Sequence, residues 1–234
     1  MPTITASKWA KANGQMSSNF STARTSNAGS VANQINSSNS RNIMYFRDTA
    51  KGTNFQFTRF FAAFNTGAYE GSNITSGSFY YRSTTSTSPS SFDIILCKST
   101  AQVDSSGNFS NMATSEFYSS IAYTTPYSAT SGISIPSANQ WNSITLNSTA
   151  LAAIANGSLG LVMLERIGDY GNNAGVADVD NFGFMNTSTS SSYTPYIDFT
   201  VGSSGYGLIV NGCEEFAGVN DIETGDITNV IGAE

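Results

Sequence analysis

The sequence predicts an all-β protein: an antiparallel β-sandwich of the jelly-roll type, with one short helix and extended N- and C-terminal arms. At least eight short runs of β-branched and aromatic residues recur along the chain, and such runs are typical of strands. Loops of about 5–15 residues, rich in Gly, Ser, Thr and Asn, separate them. A single helical pattern interrupts the series, which argues against a parallel α/β fold.

The strands begin at residue 42, where a Ser/Asn/Ala-rich segment gives way to aromatic and β-branched residues. Phe55 and Phe57 alternate with Gln56 and Thr58, and this period of two residues is typical of a strand with one face exposed to solvent. The runs predicted as strands on these grounds are 42–48, 54–64, 74–84, 92–100, 120–127, 181–185 and 194–201.

The helical pattern lies between two further strands, predicted over 141–147 and 158–169. Asn147 or Ser148 can cap a short helix over 148–156, and the Gly that follows can end it. The strand after the helix is nearly continuous in apolar residues, so we expect it to be central in its sheet. We expect its apolar side chains and Trp141 to share one core.

Three regions are predicted: an N-terminal arm over 1–40, the sandwich over 41–205, and an acidic C-terminal docking segment over 206–234. The first region lacks a sustained period of 2 or 3.6 residues, yet it carries Trp9 as an apolar anchor. It is either a poorly ordered terminus or an arm that orders against a partner, with Trp9 as a docking residue.

Charge is unevenly distributed along the chain. Residues 1–166 carry a net charge of +4, and residues 167–234 carry ten acids and no base. The acidic end is either a solvated tail or a segment that meets a basic patch on a neighbouring copy. A pI of about 4.5 and the lack of a Lys/Arg cluster predict no nucleic-acid partner.

The chain contains no histidine, which excludes Ser-His-Asp and Cys-His nucleophile systems and histidine metal sites. Paired carboxylates can hydrolyse glycosides, but the acids before residue 165 lie in or beside turn segments. We therefore predict that the protein is not an enzyme. Cys97 lies in an apolar run and is predicted as a small buried hydrophobe; pairing with Cys213 stays open.

The segment 169–181 concentrates oxygen ligands, including Asp169, Asp178 and Asp180. Such a loop can hold a structural Ca²⁺, which takes six to eight oxygens. The alternative is a flexible acidic loop without a metal, and no other cofactor is predicted.

Exposed aromatic side chains can stack on sugars. Tyr80 and Tyr81 are adjacent in a predicted strand, so one should face inward and the other outward. Four further tyrosines lie in or near predicted loops: Tyr118, Tyr123, Tyr127 and Tyr170. The alternative is that all of these are ordinary strand aromatics and loop plugs.

The chain has neither an apolar run of membrane-spanning length nor an N-terminal secretory pattern. We therefore expect synthesis in a cytoplasm and no membrane partner.

Two resemblances add to this interpretation. The arrangement WxxIxLNSxxL…NGxLGL from Trp141 to Leu161, followed by PYIDFTV from Pro195 to Val201, resembles the jelly-roll modules of surface and carbohydrate-binding proteins. It covers about residues 42–201 and implies a fold rather than a function, because such sandwiches serve binding, adhesion and capsid roles alike.

The C-terminus, GLIVNG followed by GDITNVIGAE, resembles the short tails of structural proteins of tailed bacteriophages. The matching residues are Ile209, Asn211, Gly212, Ile227, Val230, Ile231 and Gly232. This resemblance implies a non-enzymatic virion protein, most simply a capsid decoration or cement protein that forms homo-oligomers and contacts other virion proteins. Ile227, Val230 and Ile231 would then dock on a partner. The alternative function is a glycan-binding module of a tail fibre or adhesin that recognises host-surface glycans.

Overall fold

The computed structural model describes residues 1–26, 29–33, 44–48, 54–83, 93–101, 118–134, 140–174 and 194–202. Over these residues the chain forms two antiparallel sheets that pack face to face. The predicted all-β sandwich is confirmed, whereas the jelly-roll strand order stays a prediction.

Four strands of the described chain form the smaller sheet. In order across the sheet they are β1 (Thr3–Thr5), β12 (Tyr196–Val201), β6 (Ile74–Ser83) and β10 (Gln140–Thr145). β6 therefore lies between the last strand of the sandwich and β10, and β10 is an edge strand among the described residues.

As far as the chain is described, the larger sheet has six strands in its main order and two attached ones. Across the sheet they are β3 (Gly29–Asn33), β2 (Lys8–Gly14), β5 (Asn54–Asn65), β11 (Ser158–Glu165), β7 (Asp93–Ser99) and β8 (Ile121–Pro126). β4 (Met44–Asp48) also pairs with β5, and β9 (Ile133–Ser134) pairs with β7. The predicted central position of β11 is confirmed, because it lies between β5 and β7.

The main core fills the space between the two sheets. β6 turns Phe79 and Tyr81 inward, and β12 turns Ile197 and Phe199 inward, as strand alternation requires. Leu161 meets them from β11 and is fully buried. The strands of the smaller sheet thus have one buried face and one outer face.

The larger sheet is buried on both faces. Its second face, turned away from the smaller sheet, carries Ala10, Phe61, Ile95, Cys97 and Val162, all of them inaccessible to water. Burial on both sides explains why β11 is nearly continuous in apolar residues. Cys97 is the buried hydrophobe that the sequence predicts, and burial, followed by the charge of Asp169, raises its pKa to about 12.

Within the described ranges two short α-helices join the strands: α1 (Phe20–Thr25), which the sequence does not predict, and α2 (Ser148–Ala155). The predicted helix is α2, and Asn147 is its cap, because its side chain accepts a hydrogen bond from the Ala150 amide at 3.1 Å. Gly157 ends it with φ of 85°, a conformation that favours glycine. No helix of the described residues is long and apolar enough to cross a membrane.

The N-terminal region is not an arm outside the sandwich. Its residues form β1 in the smaller sheet and β2 and β3 in the larger one. Trp9 on β2 is buried in the main core opposite Ala62 of β5. The prediction of an arm over 1–40 is therefore wrong for these strands, and so is the prediction that Trp9 docks on a partner.

Candidate functional site

Two groups of side chains stand out from the ordinary core. The first, which we call the buried charge cluster, consists of Arg24, Arg59, Tyr123, Glu165 and Asp169. The second, which we call the aromatic strip, consists of Tyr80, Trp141 and Tyr196 and lies on the outer face of the smaller sheet.

The centre of the buried charge cluster is a bidentate ion pair. Arg59 lies on β5 opposite Ala12, on the second face of the larger sheet, and is fully buried. Its Nε donates to Asp169 Oδ2 at 2.6 Å and its Nη2 donates to Asp169 Oδ1 at 2.8 Å. Burial alone would lower the pKa of Arg59, but the adjacent Asp169 carboxylate raises it above its usual range. Arg59 is therefore a cation in the folded protein.

Two further side chains donate hydrogen bonds to Asp169. The Tyr123 hydroxyl donates to Asp169 Oδ1 at 2.8 Å, and Arg24 of α1 donates through Nε to the Asp169 carbonyl at 2.5 Å. Arg24 also lies over the Tyr123 ring, 4.4 Å from its centroid. Arg59 in turn donates to the Arg24 carbonyl at 2.7 Å. The cluster thus ties α1, β5 and β8 to the turn that holds Asp169.

That turn is a single π-helical turn, Arg166–Tyr170, which follows β11 directly. The Glu165 side chain caps it by accepting hydrogen bonds from the amides of Ile167, Gly168 and Asp169. Burial raises the pKa of Glu165 to about 7, although the three amides that it accepts from oppose this shift. Glu165 therefore has a structural role, because it holds Asp169 in position to pair with Arg59.

This pKa gives a pH-dependent prediction for Glu165. A folded-state pKa of about 7 lies above the value of an exposed glutamate, so the folded state binds more protons between about pH 4.5 and 7. The contribution of this group to the free energy of unfolding is therefore largest below about pH 4.5 and is lost as pH rises towards 7. We expect Glu165→Gln to flatten this slope when urea unfolding is measured at several pH values.

The matched control is Glu70→Gln, because Glu70 is exposed. It should leave the pH slope as it is in the natural protein. An unchanged slope in Glu165→Gln would contradict the assignment of the raised pKa to this group.

The calcium prediction does not hold for Asp169. Its carboxylate is 1 % exposed and already accepts hydrogen bonds from Arg59 and Tyr123 on both oxygens. A cation there would have to displace the guanidinium, its natural counter-charge. The described residues hold no cluster of acids suited to a metal ion. Asp178 and Asp180 lie outside the described residues.

The aromatic strip runs across three adjacent strands of the smaller sheet. Tyr80 on β6 and Tyr196 on β12 are register partners, and their rings stack with centroids 4.6 Å apart and planes 7° apart. Trp141 on β10 lies 5.1 Å from the Tyr196 ring at 60°. Trp141 is 38 % exposed, and both tyrosines are half-buried. The prediction that Trp141 belongs to the core is wrong: Ile144 and Leu146 fill the core from this part of the chain.

Polar side chains surround the rings. Burial, and then a hydrogen bond to Asp198 in the next row of the sheet, raise the pKa of Tyr80. Ser143 lies opposite Tyr80 on β10, and Ser78 lies opposite Asp198. The prediction that one of Tyr80 and Tyr81 faces outward is confirmed, because Tyr81 is buried in the main core.

A cavity of about 730 Å³ opens where β5, β7 and the turn between α2 and β11 meet. Asn65, Thr100, Asn156 and Ser158 contribute polar groups to its wall, and Lys98 is the one charged side chain among the described lining residues. This combination contains no acid–base pair and therefore indicates no particular reaction.

The remaining docking residues, Ile227, Val230 and Ile231, lie outside the described residues, as does Cys213. Comparison with known proteins adds no identity: neither a protein-family model nor a curated protein sequence matches the chain. Because a sandwich fold hosts many functions, function has to be argued from the sites themselves.

Proposed function

We propose that the protein is a non-enzymatic structural component of a tailed-phage particle, a decoration or cement unit on the virion surface. The sandwich supplies a rigid body, and the C-terminal tail resembles those of phage structural proteins. Its partners are copies of itself and other virion proteins.

The observation that carries this proposal is the edge of the smaller sheet. Among the described strands, β10 has a partner on one side only, β6. Natural proteins seldom leave such an edge unprotected, because it invites another strand. The C-terminal segment carries β-branched residues among glycines and acids, the composition of a strand that could add to this edge on a neighbouring copy.

The buried charge cluster supports a structural role in a second way. Its two carboxylates, Glu165 and Asp169, use their oxygens to hold the π-helical turn and Arg59. Groups fixed in this way stabilise the sandwich rather than offer an acid–base pair to a substrate. The cluster also removes Arg24 and Arg59 from the surface, so a neighbour's acidic segment would have to meet other basic residues.

The experiment is to count this protein in purified particles of the phage that encodes it. Quantitative mass spectrometry against labelled peptides should find many copies per particle, in a fixed ratio to the major capsid protein. Particles washed in high salt serve as the control for loosely adsorbed protein. A few copies per particle would point instead to a tail adhesin, and absence from washed particles would refute a virion role.

A further inference from the structure

We infer that the aromatic strip is a carbohydrate-binding site, and that its ligand is an uncharged oligosaccharide chain laid across the outer face of the smaller sheet. This site goes beyond the proposed particle role and does not depend on it. A decoration protein with such a site would attach its particle to a sugar-coated surface.

The rings of the aromatic strip lie at the surface of the smaller sheet. Tryptophan and tyrosine bury large apolar areas when a core is available, and large exposed apolar groups in a cluster are informative where single ones are not. Trp141 is 38 % exposed, although β10 has a buried face that Ile144 occupies. The three rings are held against each other, so a ligand would find them already ordered.

Most of the side chains around the rings carry hydroxyl groups. Along each strand, outward-facing residues alternate with buried ones. Apart from the three rings and the charged Asp198 and Arg82, the described outward-facing residues carry hydroxyl groups: Thr3, Thr5, Ser76, Ser78, Ser143, Thr145 and Thr200. Hydroxyls both donate and accept, and a carboxylate accepts. Sugars need this combination, because each ring offers hydroxyls at its edge and C–H groups on its faces. Those C–H groups pack against the electron-rich faces of aromatic rings, here the faces that the Tyr80–Tyr196 stack leaves uncovered and the ring of Trp141.

Other ligands that stack on aromatic rings fit this face less well than carbohydrate does. Single-stranded nucleic acid needs a groove of positive charge beside the rings, yet Arg82 is the one basic side chain on the described outer face, and the net charge of the chain is −6. A stable protein partner needs about 800 Å² of well-packed surface on each side. The strip is three rings wide and bordered by hydroxyls, which favours a smaller polar ligand.

The ligand should be longer than one sugar ring. The three rings lean together, with the Tyr80 and Trp141 centroids 4.6 and 5.1 Å from that of Tyr196, so one sugar ring can cover them. Hydroxyl-bearing side chains continue in the next row of the same outer face, where Ser78 and Thr145 are register partners and Ser78 also pairs with Asp198. Further sugar units would reach these groups, which favours an oligosaccharide.

The test uses the full chain on a printed array of neutral and acidic oligosaccharides that includes cellohexaose, maltohexaose and mannohexaose. Because the chain has two tryptophans, a Trp9→Phe background leaves Trp141 as the sole indole reporter. Binding of a neutral member should change the Trp141 fluorescence in a saturable titration. Trp141→Ala and Tyr196→Ala should each weaken binding at least about tenfold, the loss expected for a central aromatic contact.

Two variants act as controls. Glu70→Gln changes an exposed side chain outside the strands of the smaller sheet and should bind as the natural chain does. Trp141→Phe keeps an aromatic ring and should retain part of the affinity, which separates loss of stacking from loss of folding. If the chain binds no neutral oligosaccharide on the array, the inference is wrong. It is also wrong if Trp141→Ala and Tyr196→Ala both bind as tightly as the natural chain.

Discussion

Replacing Asp169 with Asn should lower the free energy of unfolding by about 3–5 kcal/mol, because the change leaves the Arg59 guanidinium buried without its counter-charge. Arg59 is 0 % exposed and Asp169 is 1 % exposed, so water cannot screen the unpaired charge. Urea unfolding, followed by circular dichroism, measures this loss directly.

The natural comparison is the ion pair between Arg166 and Asp93, whose Nε and Oδ2 atoms lie 3.4 Å apart and whose side chains are 32 % and 27 % exposed. Arg166→Gln should cost less than about 1 kcal/mol, as partly solvated pairs do. The double variant Arg59→Met, Asp169→Leu should regain part of the stability that Asp169→Asn loses, because it removes the buried Arg59 charge together with its partner. The recovery is partial because the Tyr123 hydroxyl loses its acceptor and Arg24 loses the nearby Asp169 carboxylate. Equal losses in Asp169→Asn and Arg166→Gln would contradict the buried ion pair.

The second large effect is expected at the centre of the larger sheet. Leu161 on β11 is fully buried and lies between Ala62 of β5 and Lys98 of β7. Leu161→Ala should cost about 2–5 kcal/mol, since the shortened side chain leaves a cavity that strands paired on both sides cannot close. The melting temperatures of Leu161→Ala and of the surface variant Trp141→Ala are each compared with that of the natural protein. A melting temperature that Leu161→Ala leaves unchanged would show that β11 is not central.

The sequence predicts the strands from residue 42 onwards because their aromatic and β-branched residues carry a clear period. It misses β1, β2 and β3 because the N-terminal region is rich in small residues. Ala10 and Ala12 are buried there, but their burial depends on close approach to β5 rather than on size. A hydrophobic pattern cannot reveal strands whose buried side chains are alanines.

The sites are less predictable than the fold. Arg59 is a sequence signal in itself, since a lone arginine in an apolar strand needs a buried partner. Its partner, Asp169, lies 110 residues further along the chain, and only the folded sheet brings the two together. The acidic composition of the segment after residue 168 therefore suggests a calcium ligand where the structure places a counter-ion.

The aromatic strip shows the same limit. The alternation of Tyr80 and Tyr81 predicts that one of them is exposed, but nothing in the local pattern shows that Tyr196 and Trp141 meet it from other strands. Trp141 itself looks like a core residue because tryptophan is usually buried. Register, which depends on long-range pairing, decides its direction.

The most direct test of the proposed role is an electron cryomicroscopy map of the phage particle at a resolution that separates strands. We expect the sandwich to repeat over the particle surface, with a strand from a neighbouring chain beside β10 and the outer face of the smaller sheet turned to solvent. A map of the complete particle in which no density fits the sandwich would contradict the proposed virion role.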